Sequence, residues 1–366
     1  MHVRKIRHEG RPAWEVGNGE LALAMTEGGG HLASLRLASH PRINPFWTPP
    51  WRTIDPWQYG RAAAPRYGGS PLLASVCGHL LCLPHFGAPS EAEARQGQDV
   101  HGEAPVGRWR AIERAVTARH ARLRTACDLT AAGLSVERAI TVRPASRIVE
   151  VTEEIVNRRD ADRVYTLCEH ATFGPPFLAP GVTCFDMPAR EGHTFPGAFS
   201  DRQRLRPDTA FEWPGGPGAD AGVVDLRTLG RRRTSDFTTQ HIDREREDAW
   251  FSALNPRLGL LVVYHWRRRD FPWVGNWEEN RCRRGPPWNG RTVARGMEFA
   301  NTPFPTNLRE QVGRGRMHGE PTYAWLPARG TVHVAFRIAM LEVTARARGV
   351  ADVRATPSGL AVDLLT

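Results

Sequence analysis

The chain has 366 residues, 41% of them hydrophobic, which provides for a sizeable core and excludes a disordered polypeptide. Its formal net charge is +10 and its pI is near 10.0, yet Lys5 is the only lysine and the arginines are interspersed with Asp and Glu. A nucleic-acid surface is therefore not expected, and because no apolar stretch reaches transmembrane length, neither is a membrane partner.

Residues Met1 to Arg7 contain no apolar core segment, so a signal peptide is not expected and a cytoplasmic location is. The six cysteines include no Cys-x-x-Cys pair, and several lie in apolar runs, which reads as buried free thiols.

Asn18-Gly19 separates two alternating runs between Glu15 and Leu23 and predicts a hairpin. Gly28-Gly29-Gly30 lacks the spacing of a phosphate loop and predicts a turn before a short strand over 32–37. From Pro41 to Tyr67, prolines exclude regular structure, and Trp47, Trp51 and Trp57 either cover a core edge or stack on a sugar face. Gly78 to Gly87 predicts a short buried strand ending at Pro84-His85-Phe86-Gly87.

Val100 to Trp109 follows, carrying His101, Glu103 and Arg108 where a loop meets a strand. Such a junction holds reactive side chains well, because the sheet fixes position and the loop permits unusual backbone angles. Beyond it, period-2 runs place Leu134, Val136, Ile140 and Val142 on one face and Val149, Val151 and Ile155 on another. Leu258 to Tyr264 suits a strand buried on both faces, and Thr331 to Met340 alternates again. Residues 188–248 read as a loop-rich insertion, and Asp270 to Asn280 as an aromatic turn with Trp273, Trp277 and Glu278 suited to gripping a sugar. The expected architecture is mainly β, a large antiparallel sandwich formed as one domain over 1–366.

Ionisable groups gather near turns at His85, at His101 and Glu103, at Glu169-His170 following a strand read over 165–168, and at Glu298. A second His-Gly-Glu at His318 to Glu320 shows that the tripeptide alone is not specific. The order of an apolar strand ending in Pro84-His85-Phe86-Gly87, then His101-Gly102, then a strand-end His170, then Gly296-Met297-Glu298, resembles the aldose 1-epimerase (mutarotase) superfamily. Cys82 to Gly87 with His101-Gly102 looks most like the hexose-6-phosphate epimerase branch.

That resemblance implies a galactose mutarotase-like β-supersandwich with its site in a cleft on one sheet. It implies His170 as general acid toward the ring oxygen, Glu298 as the base for the anomeric hydroxyl, and His101 as a ligand of the ring oxygen or a neighbouring hydroxyl. Opening a hemiacetal removes one proton and delivers another, so an imidazole and a carboxylate suit it and a bell-shaped pH profile is expected. His85, Glu103, Arg108, Trp273, Trp277 and Glu278 are the remaining expected contacts to a small-molecule carbohydrate. No cofactor and no metal are expected, and the chain is expected to be a monomer or homodimer.

Two other functions fit the same residues. His31, His79, His85, His101, His170, Glu103 and Glu298 contain enough ligands for a metal-dependent isomerase, lyase or hydrolase, although no H-E-x-x-H spacing is present. A non-catalytic carbohydrate-binding protein would use the exposed tryptophans without needing an acid and base.

Overall fold

The computed structural model describes residues 1–357 and 359–366. Two large antiparallel sheets dominate it. The first has eleven strands in the order His2–His8, Arg11–Gly17, Leu21–Thr26, Leu32–Leu37, His79–Cys82, Cys168–Phe173, Val293–Ala300, Trp273–Asn280, Ser235–Ile242, Ala189–Thr194 and Ala210–Glu212. The second has eight, in the order Cys184–Asp186, Asp248–Asn255, Leu260–Arg267, Thr331–Glu342, Ile148–Asn157, Leu134–Val142, Ala121–Leu129 and Arg110–Val116.

The alternation read from the sequence is the alternation that packs. Val136, Ile140, Val142, Val149, Val151 and Ile155 are fully buried between the sheets, while Glu150 and Glu154 turn outward. Each such apolar side chain contributes roughly 1.5–3 kcal/mol when removed from water. Leu260 to Trp266 is buried along its whole length, as a strand covered on both faces must be. Its outer side is covered by the C-terminal hairpin Gly349–Thr356 and Gly359–Leu365 through Trp250, Leu254, Leu261, Val350 and Val353.

The hairpin at Asn18-Gly19 forms between Arg11–Gly17 and Leu21–Thr26. The Asn18 side chain accepts from the N–H groups of Glu20 and Leu21 and donates to the carbonyls of Arg143 and Ser146, tying this turn to the opposite sheet.

Two expectations change. Residues 188–248 are loop-rich, as expected, but they are not set apart from the sheet, since Ala189–Thr194 and Ser235–Ile242 belong to its eleven strands. Polar composition hid the second of these strands, because Ser235, Asp236, Thr238, Thr239, Gln240 and His241 are all buried within it. Asp270 to Asn280 is not an aromatic turn: Trp273–Asn280 is a buried central strand of the same sheet.

A second apolar cluster lies on the outer face of the eleven-stranded sheet. Trp47, Leu72, Val76, Leu80, Phe237, Trp277 and Trp288 belong to it. It surrounds the pocket described next.

Candidate active site

Five central strands form the floor of a cavity of about 310 Å³. Residues opposite one another in an antiparallel ladder share a face, so the register fixes which side chains meet. Leu80 is opposite His170, His170 opposite Glu298, Glu298 opposite Gly275, and Gly275 opposite Thr239. One rank of the sheet therefore carries an imidazole and a carboxylate side by side.

His170 Nε2 stands 2.9 Å from Glu298 Oε1, and both residues are buried, His170 at 7% exposure and Glu298 at 1%. The approach is not an aligned hydrogen bond, for Oε1 is among the buried oxygens without a hydrogen-bond partner. On its other side His170 Nδ1 lies 3.0 Å from the Thr172 hydroxyl. A hydroxyl either donates to or accepts from that nitrogen, so Thr172 orients the ring in either protonation state. His170 stands within the strand Cys168–Phe173, not at its end as the sequence suggested; Tyr165 closes a separate short strand, Arg163–Tyr165.

His101 reaches the cavity from a turn welded to the end of the His79–Cys82 strand. The Leu83 N–H donates to the His101 carbonyl, Glu103 N–H donates to the Leu83 carbonyl, and His101 N–H donates to the Gly87 carbonyl. Gly102 has φ of 81°, and a Cβ there would lie 2.2 Å from the Leu83 oxygen, so only glycine fits. His101 itself adopts φ of 67°, a left-handed conformation uncommon for a side-chain-bearing residue. Its Nδ1 accepts a 3.0 Å hydrogen bond from the Gly87 N–H. The ring proton then sits on Nε2, a donor with no partner among the described residues. Burial, together with the neighbouring His170, His85 and Arg283, holds His101 well below the ordinary imidazole pKa, so it is neutral at physiological pH.

The walls are aromatic and aliphatic. Trp47 stacks on Trp288 with ring centroids 6.1 Å apart, Trp51 meets both edge-on, and Trp277 rises from the floor against Trp288. Leu72, Leu73 and Val76, on and just after the short helix Pro71–Ser75, continue this wall, with the Trp51 indole N–H donating to the Leu73 carbonyl at 2.9 Å.

Arg283 also lines the cavity. Its guanidinium lies 5.3 Å from the Trp277 ring, 5.0 Å from Trp288 and 5.7 Å from Phe199. Glu279 fixes the turn that carries it, accepting the N–H groups of Cys282 and Arg283 at 2.6 and 3.0 Å. Its own carboxylate contact, Glu279, is 3.6 Å away, and its side chain keeps 37% of its exposure, so the guanidinium is free to meet a ligand.

Arg283 is the residue the sequence reading missed. The available signal was Glu279: on a strand over 273–280, Trp273, Gly275, Trp277 and Glu279 share one face and Glu278 takes the other. Glu278 indeed turns into the space between the sheets, where it pairs with Arg204 and lies 3.6 Å from Arg295. It is not placed to touch a ligand in the cavity. Trp277 lines the cavity, whereas Trp273 packs against His241, ring centroids 4.8 Å apart, further along the strand.

Three more expected contacts lie elsewhere. Glu103 accepts from the N–H groups of Ala131 and Ala132 at 3.0 and 2.6 Å and secures a turn of the second sheet. His85 is buried with its Nε2 2.9 Å from the Asp99 carbonyl, so it braces the loop before His101. Arg108 lies over Trp57, 4.9 Å from the ring centroid, outside the cavity.

Behind the floor, on the inner face of the sheet, is a buried ionic network. His79 Nε2 is 2.6 Å from Glu169 Oε2, Arg138 Nε donates to Glu153 Oε1 at 2.6 Å, and Arg138 also lies 3.8 Å from Glu169. Burial and the neighbouring Glu169 push the Glu153 carboxyl up to about 8, and burial pushes Glu169 up to about 7. Glu153 Oε2 and Glu169 Oε1 have no hydrogen-bond partner while both are ionised, so a proton shared within the pair removes a like-charge repulsion. His31 stands apart, with Nε2 2.9 Å from the Pro105 carbonyl and Nδ1 3.8 Å from Cys77 Sγ. Among the described residues, no three or more His, Cys, Asp or Glu side chains converge as a metal-binding group, and the histidines grouped above as metal ligands are spread over both faces of the sheet. No helix among these residues is long and apolar enough to cross a membrane.

No protein-family model matches the chain, and no curated protein matches its sequence. Solved structures match its fold. A candidate aldose 1-epimerase from Klebsiella pneumoniae superposes with a TM-score of 0.69 at 14% identity, covering 92% of this chain and 81% of that one. A galactose mutarotase-like protein from Clostridium acetobutylicum gives 0.62 at 10% identity over 93% of this chain and 99% of that one. A galactose mutarotase related enzyme from Lactobacillus acidophilus gives 0.56 at 13% identity over 91% and 98%. At such identities the likeness is one of fold, a galactose mutarotase-like β-sandwich.

Proposed function

We propose that this protein interconverts the anomers of a reducing sugar, with His170 and Glu298 as its acid and base. The observation that carries the proposal is the 2.9 Å pairing of His170 Nε2 with Glu298 Oε1 at the floor of a cavity large enough for a monosaccharide. The two stand together on adjacent strands.

Side-by-side placement suits the chemistry. The anomeric hydroxyl and the ring oxygen are borne by one carbon, so the atoms that exchange protons with them need only stand a few ångströms apart. Starting from imidazolium and carboxylate, Glu298 takes the proton from the anomeric hydroxyl and His170 gives its proton to the ring oxygen as the bond from that oxygen to the anomeric carbon breaks. An open-chain aldehyde, a neutral imidazole and a carboxylic acid result. Rotation about the adjoining carbon–carbon bond presents the other face of the aldehyde. Ring closure then returns both protons by the reverse transfers.

His101 Nε2–H, Arg283 and the unpartnered indole N–H of Trp277 are donors that can position the sugar, and the tryptophans offer faces for its C–H surfaces. Arg283 is the only arginine among the described residues that line the cavity, and His101 is held neutral, so the proposal does not extend to a phosphorylated hexose. The test is anomeric exchange measured by magnetisation transfer on a panel of aldoses, with Glu298→Gln as the control. Wild-type exchange that never exceeds the Glu298→Gln background on any aldose overturns the proposal.

A further inference from the structure

Among the described residues, the polar side chains that line the cavity are His101, His170, Glu298, Arg283, Thr172 and Ser70, beside the indole N–H groups of the tryptophans. Most are already engaged. The Thr172 hydroxyl serves His170, and the Ser70 hydroxyl accepts from the Leu73 N–H at 3.3 Å as the cap of the short helix. His170 and Glu298 are committed to the anomeric centre in the proposed function. Among the described residues, His101, Arg283 and the unpartnered indole N–H of Trp277 remain for the other hydroxyls of a sugar, and all three lie away from the aliphatic side chains.

The surface facing them is dry. Leu80 is the cross-strand neighbour of His170 and lies beside the reacting atoms. Leu72, Leu73 and Val76 continue that surface, and Trp47 and Trp288 complete it. A hydroxyl pressed against these side chains loses its water and finds no partner, whereas a methyl or methylene there removes apolar surface from water on both sides.

We infer that the substrate is a deoxy aldose, a reducing sugar that carries a methyl or methylene where common hexoses carry a hydroxyl, held with that apolar edge against Leu72, Val76 and Leu80. The inference rests on the epimerase function proposed above and narrows it to a substrate class.

Matched pairs test it: 6-deoxy-D-glucose with D-glucose, L-fucose with L-galactose, and L-rhamnose with L-mannose, each followed by magnetisation transfer at low sugar concentration. In at least one pair the deoxy sugar is expected to show kcat/KM tenfold or more above its parent. Val76→Thr, which keeps the shape of the wall and adds a hydroxyl, is expected to narrow that ratio severalfold in the same pair. If every parent hexose turns over as fast as its deoxy partner, epimerase activity stands and the substrate class is wrong. If no sugar exceeds the Glu298→Gln background, the epimerase function and the substrate class fall together. A preference that survives Val76→Thr unchanged would show that the apolar wall does not select the substrate.

Discussion

A Cβ placed on Gly296 would lie 2.3 Å from Oε1 of Glu298, two residues further along the same strand and on the same face. The Glu298 carboxylate occupies the space that a side chain at 296 would need. The glycine is thus part of how the carboxylate reaches His170.

Gly296→Ala is expected to displace the carboxylate while leaving the strand intact, because alanine fits an extended backbone. A misplacement on the order of 1 Å in a reacting group lowers turnover by about 100-fold. The check is kcat from anomeric exchange beside a thermal melt; a folded variant with wild-type kcat would show that the position of Glu298 does not limit the reaction.

Arg283→Met keeps an unbranched side chain against Trp277 and Trp288 and removes the donors. Losing one charged hydrogen bond costs about 1.5–3 kcal/mol, so kcat/KM is expected to fall roughly 10- to 100-fold, mainly through KM. Saturation curves for wild type and variant decide it. An unchanged KM would mean that the guanidinium only supports the aromatic wall.

Glu103→Ala should separate structure from catalysis. Two buried-side N–H groups, of Ala131 and Ala132, lose their acceptor, which costs about 1–3 kcal/mol of stability. Urea denaturation should register that loss while kcat/KM per folded molecule stays within about twofold of wild type. A large kinetic loss without destabilisation would return Glu103 to the list of substrate contacts.

Stability should peak near pH 6.5. Burial lowers His31 to about 3 and holds His79 and His101 well below the ordinary imidazole value of 6.5. A histidine kept neutral by folding contributes stability that is complete above its unfolded pKa and lost as pH falls below it. Glu153, pushed up to about 8 by burial and by Glu169, acts oppositely: its contribution is complete below the unfolded value of 4.5 and is lost as pH rises toward 8. One proton changes stability by at most about 1.4 kcal/mol per pH unit. Chemical denaturation at about pH 6.5 and about pH 8 should therefore show a decline in wild type that Glu153→Gln flattens. The same decline in both proteins would exclude a proton shared with Glu169.

The strands of the two sheets were largely legible in the sequence where burial is one-sided, because Val136, Ile140, Val149 and Val151 alternate with charged neighbours. Ser235–Ile242 and Trp273–Asn280 were not. Their outer faces mix Phe237 and Trp277, which line the cavity, with Thr239, His241 and Glu279, while their inner faces carry Asp236 and Glu278 into buried ion pairs, so neither face reads as apolar. A strand that builds a site breaks the hydrophobic pattern by which strands are recognised.

Residue type placed His101, His170 and Glu298 in a longer group with His85, Glu103 and Glu169, and it was the resemblance to the aldose 1-epimerases that singled these three out. The amino-acid sequence also determined that the chain would be mainly β with a buried core. Only the tertiary structure decided that Glu103, Arg108 and Glu278 serve other partners and that Arg283 serves the cavity. The reason is register: pairing of His170 with Glu298, and of Glu298 with Gly275, depends on how strands from distant parts of the chain align, and a slip of one residue would turn every one of these side chains to the other face.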